Sequence, residues 1–94
     1  MVIKHEDNGK KGKFYIELNG IQEAEMVYSY AGPSKVIIEH TEVSEKFKGQ
    51  GVGKKLLEET ISFMRKNSLK IIPLCPFANA VIKRNRKLYE DVLA

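Results

Sequence analysis

The chain has 94 residues, of which 43% are hydrophobic and 30% charged, with a formal net charge of +4 and one cysteine. This length suits one small folded domain over residues 1–94, and no hydrophobic run approaches the roughly 20 residues that cross a bilayer. One cysteine cannot form an internal disulfide, and the N-terminus has no apolar core of a secretion signal. We therefore exclude a membrane-spanning protein and expect a cytoplasmic one.

The first half of the chain has the alternation and turn chemistry of antiparallel strands. The β-rich runs cover residues 2–6, 13–18, 21–30 and 36–43. Asn8-Gly9 and Asn19-Gly20 separate the first three runs, and Asn-Gly is typical of tight β-hairpin turns. In the third run the residues at period two are Ala24, Met26, Tyr28 and Tyr30. These patterns predict an antiparallel meander of four strands.

The second half changes to a helical period. From Gly51 onward, apolar residues recur at steps of three and four, which predicts an amphipathic helix that ends near Asn67. A short strand should follow over residues 69–74, and the sheet should open at Pro73, because proline cannot donate to a strand ladder. Pro76 suits the first turn of a helix, and one or two short helices should complete the chain.

A strand, a loop, a helix and a second strand make a parallel βαβ unit. We therefore predict a mixed α/β fold in which the antiparallel meander precedes a βαβ unit and short C-terminal helices.

The junction at residues 48–53, Lys-Gly-Gln-Gly-Val-Gly, is the strongest motif of the sequence. Glycines allow a ligand to approach the backbone closely, and the free N–H groups of a helix's first turn bind anions. The sequence of this loop does not fit the Walker loop, because Lys48 stands at the position of its first glycine and Lys55 at the position of its Ser or Thr. It also does not fit the Gly-x-Gly-x-x-Gly dinucleotide loop. Two interpretations follow, a pyrophosphate site and a plain helix-entry turn.

This loop resembles the Arg/Gln-x-x-Gly-x-Gly/Ala loop of the GNAT acetyltransferase superfamily, with Lys48 at the Arg/Gln position. Residues 40–43, His-Thr-Glu-Val, and 74–80, Leu-Cys-Pro-Phe-Ala-Asn-Ala, resemble a subgroup of minimal, single-domain GNAT-like proteins. The resemblance covers Val36 to Tyr89. It implies a GNAT-like fold, acetyl-CoA as cofactor and an amine-bearing acceptor. The cofactor-binding residues that it implies on the strand and loop are Thr41, Val43, Lys48, Gly49, Gln50, Gly51, Val52, Gly53 and Lys54.

Three polar residues of the predicted helix after Pro76 form a stripe. Asn79, Lys83 and Arg84 lie at positions i, i+4 and i+5, where they could meet the phosphates or ribose of the cofactor. The same residues are equally well explained as the solvated face of a helix.

Cys75 stands where a strand ends and a helix begins. A thiol at a helix N-terminus can have its thiolate favoured, so Cys75 could be a nucleophile or a proton relay, whereas a lone cysteine is often a small buried hydrophobe. His40 can accept a proton at neutral pH, and Glu42 shares its face two residues on. If His40 met Cys75 across adjacent strands, the two would form a base and a nucleophile in one site.

The leading hypothesis is an acetyl-CoA-binding N-acetyltransferase that acts on an unidentified amine, with Cys75, His40 and Glu42 as catalytic candidates. The alternatives are a CoA-binding module with little catalysis and a basic domain that binds nucleic acid or an acidic protein. Scattered lysines and arginines disfavour nucleic acid. Two histidines and one cysteine lack ligand spacing, so no metal site is expected. The protein should be a monomer or a weak homodimer.

Overall fold

A five-stranded sheet forms the centre of the protein, and the computed structural model describes all residues from 1 to 94. Its strands are β1 (Lys4–Asp7), β2 (Lys11–Leu18), β3 (Ile21–Tyr30), β4 (Lys35–Val43) and β5 (Lys70–Pro73). They lie in sequence order, antiparallel from β1 to β4, with β5 parallel to β4. The predicted meander and βαβ unit are thereby confirmed.

Three α-helices complete the fold: α1 (Val52–Lys66), α2 (Pro76–Arg84) and α3 (Arg86–Tyr89). There are also two 3-10 helices: Glu45–Phe47 lies between β4 and α1, and Glu90–Val92 follows α3. No pattern in the sequence predicted the first of them. None of the helices has the length and hydrophobicity that a membrane crossing requires. Basic residues in the last turns of α1 and α2 suit the negative end of the helix dipole.

The helices pack on one face of the sheet, which we call the helix face. One hydrophobic cluster joins strand residues of this face, such as Met26, Ile38 and Ile71, to the apolar side of α1 and to Ala78 and Ile82 of α2. Met26 is fully buried, and its sulfur lies 3.4 Å from the Thr60 hydroxyl of α1, which donates to the Leu56 carbonyl at 2.8 Å. The opposite face carries no helix, and we call it the open face.

A β-bulge in β4 changes which residues reach each face. Val27 pairs with His40 but Tyr28 pairs with Ile38, so Glu39 is an extra residue in β4. Before the bulge Ile38 faces the helices. After it Thr41, which pairs with buried Met26, takes over the helix face, and His40 projects from the open face.

The sheet splits between β4 and β5 after Pro73. The last pair is Ile38 with Pro73, and the Ile38 carbonyl then accepts hydrogen bonds from the backbone N–H groups of Leu74 at 3.1 Å and Cys75 at 2.9 Å. Beyond this point β5 turns into α2 while β4 continues to Val43. The predicted opening at Pro73 is confirmed, and it creates a gap along one edge of β4.

An aromatic and polar cluster closes the other end of the helix face. His5 stacks on Phe14 with ring centroids 4.0 Å apart, and its Nε2 lies 2.7 Å from the hydroxyl of Tyr28. That hydroxyl donates to the Asp7 carboxylate at 2.6 Å. Partial burial lowers the pKa of His5, although the nearby charge of Asp7 works to raise it.

We expect acidification to destabilise the protein through His5. Its pKa is lowered in the folded state, so the unfolded chain binds a proton more readily. The stability that neutral His5 contributes is fully present above the ordinary histidine pKa of about 6.5. It is lost as the pH falls from there toward the lower pKa of His5 in the folded protein. Urea unfolding at pH 7.5 and 5.5 should show a larger fall in midpoint for wild type than for His5→Phe. Equal falls would contradict this role of His5.

Candidate functional site

A cleft of 510 Å³ lies between the end of β4, the loop that follows it and the start of α2. Its lining combines backbone-rich glycines, two lysines and several apolar side chains. The lining residues are Thr41, Val43, Ser44, Glu45, Phe47, Lys48, Gly49, Gly51, Val52, Gly53, Lys54 and Phe77. Most of the cofactor-binding residues predicted on the strand and loop therefore come together, and Gln50 is the exception.

The glycine loop presents unpaired backbone donors to this cleft. Gly49 and Gly51 have positive φ, at +78° and +68°, and Gly51 is the N-cap of α1. The first N–H with an acceptor at this helix end belongs to Lys55, which donates to the Gly51 carbonyl at 3.1 Å. Five N–H groups find no acceptor within the protein, those of Gly49, Gly51, Val52, Gly53 and Lys54. Such a group of donors at the positive end of a helix suits an anion.

Of the four lysines near the glycine loop, two line the cleft and two do not. Lys48 and Lys54 line the cleft and are exposed, so they can pair with an anion there. Lys46 is paired with Glu23, and its carbonyl accepts a hydrogen bond from the Gln50 side chain at 3.2 Å. Lys46 and Gln50 therefore hold the loop in shape, and Lys55 does not line the cleft.

The free edge of β4 forms the second wall of backbone groups. The N–H of Ser44 donates to the Glu23 carbonyl at 2.7 Å, and bonding directions alternate along an antiparallel strand. His40 and Glu42 therefore bond toward β3, whereas Thr41 and Val43 turn their N–H and C=O groups toward the gap. An extended polar ligand could pair with this edge as an added strand does.

Two aromatic residues that were not among the predicted site residues, Phe47 and Phe77, shape the cleft. A Cβ atom added at Gly53 would lie 2.9 Å from Cζ of Phe77, so the first turn of α1 packs directly against that ring. Phe47 lies on the loop side and is buried. The Cys-Pro-Phe segment was the available signal for Phe77, but the 3-10 helix that carries Phe47 has no comparable signature.

Cys75 lies beneath the cleft instead of lining it. Its side chain is 2% exposed, and its Sγ is 3.2 Å from Oγ1 of Thr41. It is the N-cap residue of α2, but its side chain makes no capping hydrogen bond. This position suits a core residue that holds the split between β4 and β5 in place.

We expect the Cys75 thiol to be protected in the folded protein. A side chain that is 2% exposed reacts only when the structure opens locally. The reaction with Ellman's reagent should be at least about 100-fold slower in buffer than in 6 M urea. Fast labelling of the folded protein, or an acetyl adduct on Cys75 after incubation with acetyl-CoA, would contradict a structural role.

The structure does not bring His40 and Cys75 together. His40 lies on the open face with its side chain 50% exposed, and its Nε2 is 3.0 Å from Oε2 of Glu25. Cys75 is buried on the helix face against Thr41. The proposed pairing of base and nucleophile in one site was therefore wrong, because the bulge at Glu39 turns His40 to the other face. Glu42 shares the open face and is exposed.

The polar stripe of α2 also lies outside the cleft. Asn79 and Lys83 line a separate groove of 240 Å³ at the outer edge of β5, together with Ile72 and Leu93. Arg84 is exposed and lines neither cavity. The stripe does not meet the glycine loop, because α2 turns its apolar side to the core and this side to β5. No group of three or more His, Cys, Asp or Glu side chains could hold a metal ion.

Sequence comparison identifies the class of protein to which this fold belongs. Residues 13–92 match the family described as GCN5-related N-acetyl-transferase. The chain belongs to this family, and its mixed sheet with C-terminal helices is the GNAT fold. The Xenopus tropicalis protein NATD1 is 32% identical over 84 residues, which cover 88% of this chain and 77% of that protein. Human NATD1 is 30% identical over the same length.

Structural comparison agrees with the sequence comparison. A GCN5-like protein from Staphylococcus aureus, solved by NMR, has a TM-score of 0.77 and 38% identity over 99% of this chain and 87% of that one. A GNAT family acetyltransferase from Elizabethkingia anophelis with acetyl-CoA bound has a TM-score of 0.63 over 82% of this chain and 53% of that one. Its identity of 17% shows similarity of fold alone.

Proposed function

We propose that this protein binds acetyl-CoA in the cleft between β4 and α2 and transfers the acetyl group to an amine. The observation that carries the proposal is the continuity of two sets of free backbone groups. The edge of β4 at Thr41 and Val43 leads directly into the unpaired N–H groups of the loop at residues 49–54. A ligand with an extended amide arm and a pyrophosphate at its end has this same order of groups.

The residues of the cleft fit such a ligand chemically. The loop N–H groups and the ammonium groups of Lys48 and Lys54 would hold the pyrophosphate, since charge-assisted hydrogen bonds to an anion are strong. The absence of a side chain at Gly53 keeps the first turn of α1 close to Phe77 and leaves its N–H accessible. The exposed edge of β4 would pair with the amide groups of the pantetheine arm.

Acyl transfer also needs a donor for the negative charge that develops on the carbonyl oxygen. Bound acetyl-CoA supplies the acetyl thioester. The candidate donors to its carbonyl oxygen are the backbone N–H groups of Thr41 and Val43, which face the gap between β4 and β5. A backbone N–H is well suited to this task, because the strand already holds it in position and no reorganisation is needed during the reaction.

A CoA-binding module without efficient turnover remains the second candidate. It has support in the fold itself, because the open face carries no helix that would enclose an acceptor. Both candidates bind the cofactor, so only turnover distinguishes them.

Release of free CoA thiol in the presence of amines tests the proposal. The protein should release CoA from acetyl-CoA faster with tyramine, putrescine or a peptide with a free N-terminus than in buffer alone. Lys48→Glu/Lys54→Glu should reduce this rate and raise the KM for acetyl-CoA. The matched charge control is Lys10→Glu/Lys87→Glu, because these two lysines are exposed, lie outside the cleft and take part in no ion pair. Saturable acetyl-CoA binding without any amine-dependent release would favour the binding module.

A further inference from the structure

A histidine and a carboxylate form a defined pair on the open face, next to the split in the sheet. His40 Nε2 is 3.0 Å from Glu25 Oε2, and the side chains are 50% and 16% exposed. The other carboxylate oxygen of Glu25 accepts a hydrogen bond from the Gln22 amide at 2.9 Å. The Glu25 carboxylate is therefore held by His40 of β4 at one oxygen and by Gln22 of β3 at the other, while one side of the His40 ring is exposed to solvent.

The ionisation of Glu25 agrees with this arrangement. Partial burial works to raise its pKa, but the hydrogen bonds from His40 and Gln22 outweigh burial and hold the pKa below its usual range. The positive charge of Lys13 acts in the same direction. Glu25 is consequently a carboxylate at neutral pH, and a carboxylate only accepts hydrogen bonds. The proton of the shared hydrogen bond therefore belongs to Nε2 of His40, and in a neutral ring Nδ1 is the nitrogen that accepts a proton.

We propose that Glu25 positions His40 as the general base that takes the proton from the acceptor's ammonium group, and that the acceptor approaches the split from the open face. This inference rests on the proposed function. It assigns to Glu25 a role that acts only through His40.

The position of His40 in β4 supports the direction of approach. His40 directly precedes Thr41, whose backbone N–H and C=O face the gap between β4 and β5. On the helix face, Thr41 lines the cleft that the cofactor would occupy, and its hydroxyl lies against the buried thiol of Cys75. On the open face no helix covers β4. An amine can therefore reach the gap beside His40 without displacing any element of the fold.

The proton and electron balance of the step is simple. Nδ1 of His40 accepts a proton from the ammonium group, and the amine lone pair then forms a bond to the thioester carbonyl carbon. The nitrogen of the resulting tetrahedral intermediate loses its second proton, the C–S bond breaks, and the leaving thiolate takes up that proton. The products are an amide and a thiol, and the first proton passes from His40 to solvent. Glu25 stays ionised throughout and stabilises the imidazolium that His40 becomes.

Glu42 is the other side chain of β4 on the open face, but it lacks a comparable arrangement. It is exposed and takes part in no side-chain hydrogen bond or ion pair of the protein. A freely rotating carboxylate is poorly positioned for proton transfer, whereas the Glu25 contact restricts the His40 ring to one orientation. The pair of His40 and Glu25 is therefore the better-ordered base.

The test uses two kinds of amine with the full chain at pH 7.5. The alkylamine is tyramine or putrescine, whichever wild type uses faster, and it is almost fully protonated at this pH because alkylammonium groups have pKa values of about 10. Hydroxylamine is mostly unprotonated and does not need a base before it attacks. His40→Asn should lower kcat for the alkylamine by about 100-fold, and Glu25→Ala by about tenfold. Both should change the hydroxylamine reaction and the KM for acetyl-CoA little.

The double variant decides whether Glu25 acts through His40. Glu25→Ala/His40→Asn should be no slower with the alkylamine than His40→Asn alone, because residues that act as a unit are not additive. Glu17→Ala is the matched control, since Glu17 pairs with Lys4 at 2.8 Å on the same face without touching His40. Its kcat should equal that of wild type.

Three results would overturn the inference. Additive losses in the double variant, equal losses with hydroxylamine, or unchanged kcat in Glu25→Ala would each contradict a role of Glu25 that acts through His40, while leaving the acetyltransferase intact. A wild-type protein that releases no CoA with any of the amines would instead overturn the proposed function, and the inference with it. Urea midpoints close to wild type would establish that the variants are folded.

Discussion

Gly51→Val is expected to abolish most of the affinity for acetyl-CoA. Gly51 has φ of +68° and is the N-cap of α1, so a β-branched side chain cannot take its conformation without strain. The loop should shift and the unpaired N–H groups of residues 51–54 should no longer converge. Each charge-assisted hydrogen bond contributes about 1.5–3 kcal/mol, so the loss of one or two weakens binding by at least about tenfold. Isothermal titration calorimetry with acetyl-CoA measures the change.

The matched control for this variant is Gly20→Val. Gly20 has φ of +79° with no atom near its missing Cβ, and it lies in the β2–β3 turn, away from the cleft. Backbone strain should cost both variants about 1–3 kcal/mol of stability. Only the Gly51 variant should lose affinity. Equal affinities in the two variants would remove the glycine loop from the binding site.

Gly12→Ala is expected to cause the largest loss of stability among single methyl additions. A Cβ atom at Gly12 would lie 2.3 Å from Cζ and from the hydroxyl of Tyr28, a side chain that is fully buried. The ring cannot withdraw easily, because its hydroxyl is bonded to both His5 and Asp7. Overpacking of this kind typically costs 1–3 kcal/mol, and we expect about 3 kcal/mol here.

Thermal unfolding should detect this effect without difficulty. In a domain of this size 1 kcal/mol shifts the melting temperature by about 4–8 °C, so Gly12→Ala should melt more than about 10 °C lower. Tyr28→Leu removes the atoms that clash with the new Cβ. The double variant should therefore be more stable than the sum of the two single losses predicts. An additive result would contradict the steric origin of the effect.

Elements whose structure is determined by a local pattern of residues could be predicted from the sequence. The period-two residues of β3 are buried in order, since Ala24, Met26 and Tyr28 pack on the helix face. The helical period from Val52 predicted α1, which ends at Lys66. Pro73 marked the end of parallel pairing, because a missing N–H is a property of the residue itself.

The placement of His40 could not be predicted in the same way. Strict alternation from Val36 and Ile38 assigns His40 and Glu42 to the helix face, beside Cys75. The bulge at Glu39 reverses this parity, and a bulge is a property of the register between two strands. No residue type in β4 indicates a bulge at Glu39. The alternation of residues in the sequence therefore predicted the wrong partner for His40.

The surroundings of α2 were equally hidden. Helical spacing shows that Asn79 and Lys83 share a side, but not which neighbour that side meets. The buried residues Ala78, Val81 and Ile82 fix the rotation of the helix against the core, and this rotation directs Asn79 and Lys83 to β5. The contact of Phe77 with Gly53 follows from the same packing and was missed for the same reason.

Backbone NMR during a titration with acetyl-CoA tests the central claim most directly. Saturable shifts should concentrate at the free edge of β4, Thr41 and Val43, and at the loop amides of residues 49–54. The amides of residues 79–84 should change little. Absence of binding at millimolar acetyl-CoA, or shifts centred on the groove of Asn79 and Lys83, would contradict a cofactor site between β4 and α2.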